Sequence, residues 1–245
     1  MSRSKLLAAA AFALPLMVAS AGGAQANVVA LVIDGSGSIS ASDFANQKTG
    51  YINALTALLN TDGSNSIGLW EFSTGVTSVP VLAQTIITID SVAKKNALLT
   101  AIAGITKSGG STAIGDAVTA AKLAINAFTG TTCKVGAYAG KCVIDVSTDG
   151  DSNTGSDATA ASNAAWTTNG IKVNCLGVGV AHCTFNDAAG VGTDFFASSA
   201  ADFETVLRAK LSVELTKTPE PITITLFGAG LAGAAAMRRR KNKAA

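Results

Sequence analysis

Three short apolar runs, at residues 28–34, 142–147 and 171–180, constrain the fold of this chain more than any other feature. Their apolar residues follow one another almost without interruption, which is the pattern of a strand buried on both faces of a sheet. After each run comes a segment whose apolar residues recur at helical spacing. Strands that alternate with helices predict an α/β fold with a doubly wound, mostly parallel central sheet and helices on both faces.

Residues 67–72 and 79–88 predict two further strands outside this parallel pattern. The link between them is too short for the crossover that parallel strands need, so we expect them to pair antiparallel. Pro80 cannot donate a hydrogen bond to a neighbouring strand, which favours the edge of the sheet. The sequence therefore predicts one antiparallel edge strand. Further elements are expected at residues 91–105, 112–128, 157–169 and 201–215 (helices) and at 195–197 (a short strand).

The first 26 residues have the organisation of a secretory signal peptide. Two basic residues are followed by an apolar run over residues 6–21, and Ala-Gln-Ala at 24–26 fits the small-x-small cleavage rule. We therefore expect cleavage before Asn27 and export of the chain. A retained N-terminal membrane anchor is the alternative, although Pro15 interrupts the apolar run.

The C-terminal segment is also distinct from a globular domain. Residues 222–237 are small or apolar and uncharged, and four basic residues follow at 238–241. As a helix this run would span roughly 24 Å, somewhat less than the hydrocarbon core of about 30 Å, so it suits a transient membrane anchor with a cytoplasmic basic end. A buried C-terminal helix is the alternative. We expect one domain at 27–217 and a tail at 218–245.

The formal net charge of +2 arises from the two ends of the chain. When the first 26 residues and those after Thr218 are set aside, 11 basic and 15 acidic residues remain. The excess of positive charge that nucleic-acid binding requires is therefore absent from the predicted domain, and we expect no nucleic-acid partner.

All four cysteines lie within the predicted domain, at Cys133, Cys142, Cys175 and Cys183. An even number in an exported chain indicates disulfides, and of the three pairings we favour the two short loops, Cys133–Cys142 and Cys175–Cys183. A zinc site is the rival interpretation, but the sequence has no C-x-x-C pair and His182 is its only histidine.

Oxygen-bearing side chains follow two predicted strands and begin one predicted helix. Asp34, Ser36 and Ser38 come after the first strand, Thr112 begins a helix after a Gly-Gly turn, and Asp149 follows the strand at 142. Ligands of open α/β sheets bind at the carboxyl ends of the strands, and hard cations such as Mg²⁺ (or Ca²⁺ or Mn²⁺) prefer oxygen ligands. We predict a divalent-metal site here. Three of the five ligands are neutral, so the metal would attract a carboxylate from outside.

These residues match a known pattern. D-x-S-x-S at residues 34–38, the threonine Thr112 and the T-D-G aspartate Asp149 resemble the metal-ion-dependent adhesion site (MIDAS) of von Willebrand factor type A (VWA) domains. The resemblance covers residues 27–215 and looks most like a bacterial branch of unknown function (DUF1194-like). It implies the Rossmann-like VWA fold and a protein partner that presents an acidic residue to the metal.

Other site chemistries fit less well. Residues 149–160 begin like an EF-hand loop but lack its glycine and final glutamate, no P-loop is present, and the lone His182 gives a Ser–His–Asp triad little support. Asp116 is expected in the first turn of a helix rather than at the metal. Asp151 is expected to be solvated or to lie behind the ligands.

The tail resembles a second known signal. Pro219-Glu220-Pro221, the apolar run and the basic end are similar to the PEP-CTERM sorting signal, with threonine where valine often precedes the triplet. The resemblance implies processing by an exosortase-type enzyme of a Gram-negative bacterium and transient anchoring in its inner membrane. The domain would then be released or attached outside the cell. A plain C-terminal anchor is the alternative.

Together these features predict an exported, metal-dependent adhesion or protein-binding module at the cell surface or in the extracellular matrix, and not an enzyme. Two alternatives remain. One is a metal-assisted hydrolase of matrix polymer, which would need a general base near the metal. The other is a structural matrix protein with a vestigial site.

Overall fold

The structure, a computed structural model, describes residues 27–180 and 183–215. The predicted signal peptide, His182 and the predicted sorting tail lie outside the described residues. Seven strands and five α-helices are found in this part of the chain. Their bounds in chain order are β1 (Asn27–Asp34), α1 (Ala41–Leu58), β2 (Asn65–Phe72), β3 (Val76–Ser78), β4 (Ile86–Thr88), α2 (Val92–Gly104), α3 (Ile114–Thr129), β5 (Cys142–Thr148), α4 (Ala158–Asn169), β6 (Lys172–Val178), β7 (Asp194–Ala197) and α5 (Phe203–Glu214).

The strands form one mixed sheet in the order β3-β2-β1-β5-β6-β7, with β4 also paired to β2. Strands β2, β1, β5, β6 and β7 are parallel, whereas β3 and β4 run antiparallel to β2. The predicted α/β fold with a mostly parallel sheet is confirmed. The chain leaves β1 towards β2 on one side and returns to β5 on the other, so β1 and β5 flank the switch point of the topology.

The antiparallel edge differs in detail from the prediction of one strand at 79–88. Two three-residue strands, β3 and β4, pair with the two halves of β2 instead. Between them Val81 and Gln84 bond to each other across a tight turn, and Leu82 and Ala83 adopt positive φ angles of 51° and 61°. Pro80 and this turn interrupt the ladder, because neither can continue the extended, donor-bearing backbone of a strand.

Helices cover both faces of the sheet, as predicted. Side chains of β1 alternate between the two sides: Val28, Ala30 and Val32 pack with α3 and α4, and Val29, Leu31 and Ile33 pack with α1, α2 and α5. All six are fully buried. This explains why the run at 28–34 shows no polar alternation in the sequence.

The two predicted disulfides are confirmed. Cys133 is bonded to Cys142 and Cys175 to Cys183, and no free cysteine remains in the part of the chain that the structure describes. All four sulfurs are therefore unavailable to zinc, and the rival zinc interpretation is wrong. None of the helices within residues 27–180 and 183–215 is long and apolar enough to cross a membrane.

Candidate functional site

Three loops meet at the carboxyl edge of the sheet, beside the switch point. The first follows β1, the second contains the Gly109–Gly110 turn before α3, and the third follows β5. Asp34 is the last residue of β1 and Thr148 the last of its parallel neighbour β5. The loop after β1 is fastened to the Gly109–Gly110 turn by two main-chain hydrogen bonds. The Gly37 amide donates to the Gly110 carbonyl, and the Gly109 amide donates to the Gly35 carbonyl, both at 2.8 Å.

Four of the five predicted ligands are joined in one chain of hydrogen bonds. The Asp34 carboxylate accepts the Ser36 amide through Oδ1 at 2.8 Å. The Ser36 and Ser38 hydroxyls lie 3.0 Å apart, and the Ser38 hydroxyl donates to Asp149 Oδ1 at 2.7 Å. The first and third loops thus bring two carboxylates and two hydroxyls together across 111 residues of sequence.

Thr112, the fifth predicted ligand, is held in position by hydrogen bonds of its main-chain atoms. Its amide donates to Asn153 Oδ1 and its carbonyl accepts from the Asn153 amide, both at 2.9 Å. Thr112 is buried and lies just before α3. The structure therefore ties the second loop to the third through Thr112, although the Thr112 hydroxyl makes no hydrogen bond with the other four predicted ligands, all of which are described.

The electrostatic environment of Asp34 suits a bound cation. The carboxylate is fully buried, and burial raises its pKa, while hydrogen bonds from Thr148 and Ser36 act in the opposite direction and the charge of Asp149 adds to the increase. Among the described residues no lysine or arginine forms an ion pair with Asp34 or Asp149. A buried carboxylate without a cationic partner is costly, and a divalent ion would remove that cost.

The donor set is poor in charge. Within residues 27–180 and 183–215 no three His, Cys, Asp or Glu side chains gather closely enough to hold a metal ion. Two carboxylates and neutral hydroxyl groups are the donors at the carboxyl edge instead. Such all-oxygen donors fit Mg²⁺, Ca²⁺ or Mn²⁺ better than softer ions.

Two residues that hold the site were not identified from the sequence. The Thr148 hydroxyl donates to Asp34 Oδ2 at 2.7 Å and fixes the buried carboxylate. Glu71, in β2, is almost fully buried and accepts from both the amide and the hydroxyl of Ser108, at 3.1 and 2.9 Å. The acidic Glu71 inside an apolar run was the only sequence signal for the second of these roles.

Gly35 is the point where the first loop passes closest to Glu71. A Cβ atom at position 35 would lie 1.9 Å from Glu71 Oε1. Moving Glu71 away would break its two bonds to Ser108, so Gly35→Ala is expected to lower the free energy of unfolding by about 1–3 kcal/mol. Urea unfolding measures this. Gly75→Ala is the matched control, since nothing lies within 4 Å of a Cβ there, and equal stability of the two variants would contradict the prediction.

The neighbouring carboxylates lie outside the hydrogen-bonded chain. Asp116 is in the first turn of α3, as expected, and accepts the Ser156 amide and hydroxyl through Oδ1 at 2.9 and 2.5 Å, which lowers the pKa of its carboxyl. Its role is to attach the loop after β5 to α3. Asp151 is exposed to solvent.

Solved structures of similar fold include a VWA protein, a matrix protein with a MIDAS motif and a pilus adhesin. The chain is similar to a von Willebrand factor type A protein from Catenulispora acidiphila (18% identity, TM-score 0.59, covering 78% of this chain and 43% of that one). It is also similar to proximal thread matrix protein 1 from the mussel byssus with a zinc-occupied MIDAS motif (19%, 0.55, 78% and 48%) and to the pilus adhesin SpaC from Lactobacillus rhamnosus GG (17%, 0.56, 78% and 30%). The chain thus spans half or less of their lengths, and at these identities the likeness establishes the fold.

Two sequence families match the chain. Residues 26–219 match the family described as protein of unknown function (DUF1194), and residues 217–241 match the PEP-CTERM protein-sorting motif. No curated protein sequence gives a significant match. The chain therefore belongs to the DUF1194 family, its domain has the von Willebrand factor type A fold, and a PEP-CTERM sorting motif that marks it for export to the cell surface follows the domain.

Proposed function

We propose that this protein is an exported, metal-dependent adhesion or protein-binding module that acts at the cell surface or in the extracellular matrix. Mg²⁺ (or Ca²⁺ or Mn²⁺) would be held by Asp34, Ser36, Ser38, Thr112 and Asp149. When bound, the ion supplies a positive centre to which a carboxylate of a partner protein can attach. The observation that carries the proposal is the buried Asp34 carboxylate, which has no cationic partner among the described residues and is joined to Ser36, Ser38 and Asp149 by hydrogen bonds.

The position of the site relative to the ends of the domain supports this role. Asn27 begins β1, and its side-chain amide donates to the carbonyl of Glu214 at the end of α5, at 3.2 Å. Asp34 ends the same strand, about 23 Å away for eight extended residues. The sorting motif begins at residue 217, close after α5. A domain attached through that motif would direct its metal loops away from the attachment point.

The two ends of the chain suggest its route. We propose that residues 1–26 are removed on export, that residues 27–217 form the functional domain, and that an exosortase-type enzyme processes the tail at 218–245. Residues 222–237 would hold the chain transiently in the inner membrane of a Gram-negative cell. The adhesin and thread-matrix descriptions of two structural neighbours are consistent with an extracellular adhesive role.

A binding role is favoured over metal-assisted hydrolysis. Hydrolysis needs a general base near the metal that is not itself a ligand. Asp149 belongs to the hydrogen-bonded chain of proposed ligands, and Asp151 is exposed.

Mg²⁺ titration by calorimetry tests the metal site. We expect the full-length chain to bind one equivalent of Mg²⁺, and Asp34→Asn and Ser38→Ala each to weaken binding by about tenfold or more, because each removes an oxygen ligand or its charge. Asp151→Asn is the matched control, since it removes one exposed negative charge two residues from a proposed ligand. It should bind Mg²⁺ nearly as well as the unmodified chain.

Two results would reject the metal proposal. One is the absence of Mg²⁺, Ca²⁺ and Mn²⁺ binding by a chain whose circular dichroism shows a folded domain, which would favour a structural matrix protein with a vestigial site. The other is equal weakening by Asp34→Asn and Asp151→Asn, which would indicate attraction by net charge without a defined site.

A further inference from the structure

A cavity of about 160 Å³ opens beside Asp149. It lies between α1, the end of β6 and the loop that precedes α5. Ile39, Val178 and Phe203 give it apolar walls, whereas Asp43, Gln47 and Asp149 add polar groups. An apolar cavity of about 150 Å³ is large enough for a benzene molecule, so this one has room for a single side chain of medium size. We call it the side pocket.

Gln47 is a buried polar residue in the wall of the side pocket. Only 5% of the residue is exposed to solvent. Its Oε1 atom accepts a long hydrogen bond of 3.4 Å from the Ser147 hydroxyl, but its amide nitrogen Nε2 has no hydrogen bond to any of the described residues. This nitrogen is not among the fully buried unpaired polar atoms of the described residues, so it reaches the cavity and can donate to a ligand that brings an acceptor oxygen into the side pocket.

Asp43 provides a hydrogen-bond acceptor to the side pocket. Its Oδ2 atom accepts from the Ser40 hydroxyl at 2.7 Å, while its Oδ1 atom has no hydrogen bond within the described residues. The carboxylates of Asp43 and Asp149 line the same cavity, so they would repel an acidic side chain and would accept N–H groups. The side pocket therefore offers a donor, an acceptor and apolar walls together.

We propose that the side pocket receives a glutamine side chain of the partner protein, next to the acidic residue that binds the metal. The methylene groups of a glutamine would pack on Ile39, Val178 and Phe203. Its carbonyl oxygen would accept from Gln47 Nε2, and its amide group would donate to Asp43 Oδ1. Leucine would leave both polar groups unpaired, and glutamate would be repelled by the two carboxylates. Lysine could pair with Asp43, but it has no acceptor atom and would leave the Gln47 amide group without a partner. This inference rests on the proposed metal-dependent function and narrows its partner to an acidic segment with a neighbouring glutamine.

Synthetic peptides test the inference. Each peptide has glycine-rich flanks, one central glutamate, and glutamine, leucine, glutamate or lysine directly before or after it. Fluorescence polarisation with the full-length chain and saturating Mg²⁺ measures their affinities. We expect a glutamine peptide to bind about tenfold more tightly than its leucine counterpart, the difference of one or two net hydrogen bonds. Chelation of Mg²⁺ should abolish binding of both.

Two variants separate the side pocket from the metal. Gln47→Leu is expected to lower the affinity for the glutamine peptide about tenfold, to leave the leucine peptide unchanged or better bound, and to leave Mg²⁺ affinity unaltered. Ala200→Phe provides a second route, because Ala200 lines the cavity from the loop before α5 and a larger side chain there would fill it without altering α1. It too should remove the preference for glutamine.

The outcomes distinguish the two proposals. If the Mg²⁺-loaded chain binds all four peptides equally, or leucine best, the side-pocket inference is wrong and the metal function stands. If the chain binds Mg²⁺ but none of the peptides, neither the carboxylate contact nor the side pocket survives. Unchanged glutamine preference in both variants would also overturn the inference.

Discussion

Replacing Lys210 with methionine is expected to lower the free energy of unfolding by about 3–5 kcal/mol, the typical cost of removing one partner from a buried ion pair. Lys210 is fully buried on α5, and its ammonium group lies 2.5 Å from Asp145 Oδ1 and 3.1 Å from Glu214 Oε1. Asp145, at the centre of β5, is fully buried as well and also accepts from the Tyr51 hydroxyl at 3.2 Å. Without Lys210 the Asp145 charge would have no compensating charge nearby.

The geometry makes this network depend on Lys210. Asp145 Oδ2 and Glu214 Oε2 are buried atoms without hydrogen-bond partners in the part of the chain that the structure describes. Lys210 approaches both acids at ion-pair distances but without well-aligned hydrogen bonds, since its nitrogen has no partner at hydrogen-bond geometry among the described residues. Coulombic attraction to this one ammonium group thus offsets the free-energy cost of burying the Asp145 charge. The same attraction holds α5 against the sheet.

Urea unfolding at pH 6 measures the effect, with Arg208→Met as the matched control. Arg208 lies on the same helix and also pairs with a glutamate one turn away, Glu204 at 2.9 Å, but that pair is exposed. Solvent screens such pairs, so the control should change stability little. Adding Asp145→Asn to Lys210→Met should restore part of the loss, because it removes the uncompensated charge. A Lys210→Met protein as stable as the Arg208→Met protein would show that the buried pair is not needed.

The sheet was predictable because its central strands are buried on both faces. Nearly continuous apolar sequences at β1, β5 and β6 admit few other structures, and short polar loops locate their ends. The edge was less well predicted. Residues 79–88 carry enough β-branched residues for a strand, and only the position of Pro80 indicated a break. A turn with Leu82 and Ala83 at positive φ has no glycine to announce it.

At the site the sequence predicted which oxygens would meet but not what holds them. Asp34 ends β1 and Asp149 directly follows β5, and because these two strands are parallel neighbours their loops converge. The supports come from places that no local pattern connects. Glu71 reaches the second loop from β2, and Asn153 bonds Thr112 from beyond the third loop. Such contacts depend on packing across 37 to 41 residues of sequence.

The sequence of α5 carries a local signal of the buried ion network. Lys210 and Glu214 fall on the same helical stripe as Phe203, Leu207 and Leu211, which are all buried. Charged residues on the apolar stripe of a helix predict buried partners, because an unpaired charge there would be too costly. The partner itself, Asp145, could be named only from the fold, since it lies on a strand 65 residues away.

Glu214→Gln is expected to remove much of the pH dependence of stability between about pH 4.5 and pH 8. Burial, followed by the charge of Asp145, raises the pKa of Glu214 from 4.5 to about 8, although the Lys210 ammonium group acts in the opposite direction. Between these two pKa values the folded protein keeps a proton that the unfolded chain releases. The resulting stabilisation is complete below about pH 4.5 and is lost as the pH rises through about 8, with a slope of up to about 1.4 kcal/mol per pH unit.

A glutamine at position 214 should keep the hydrogen bond of Glu214 but has no carboxyl group to ionise. Asn174 Nδ2 donates to Glu214 Oε1 at 2.7 Å, and the carbonyl oxygen of glutamine can accept the same bond. Tyr51 faces the same cluster from α1, but burial raises its pKa well above 10, so it stays protonated over this range. Asp34, whose pKa is also raised by burial, acts in the same direction in both proteins and cancels in their comparison.

Urea unfolding at pH 5, 6.5 and 8 distinguishes the two proteins. We expect similar stability at pH 5, where Glu214 is protonated in the folded state. As the pH rises, Glu214→Gln should become the more stable protein. Only in the unmodified chain does unfolding then release a proton, which favours the unfolded state. The same slope in both proteins would mean that Glu214 titrates in the folded state as it does in water. In that case the Lys210 ammonium group is shared by two ionised carboxylates, and the loss caused by Lys210→Met should be larger at pH 8 than at pH 5.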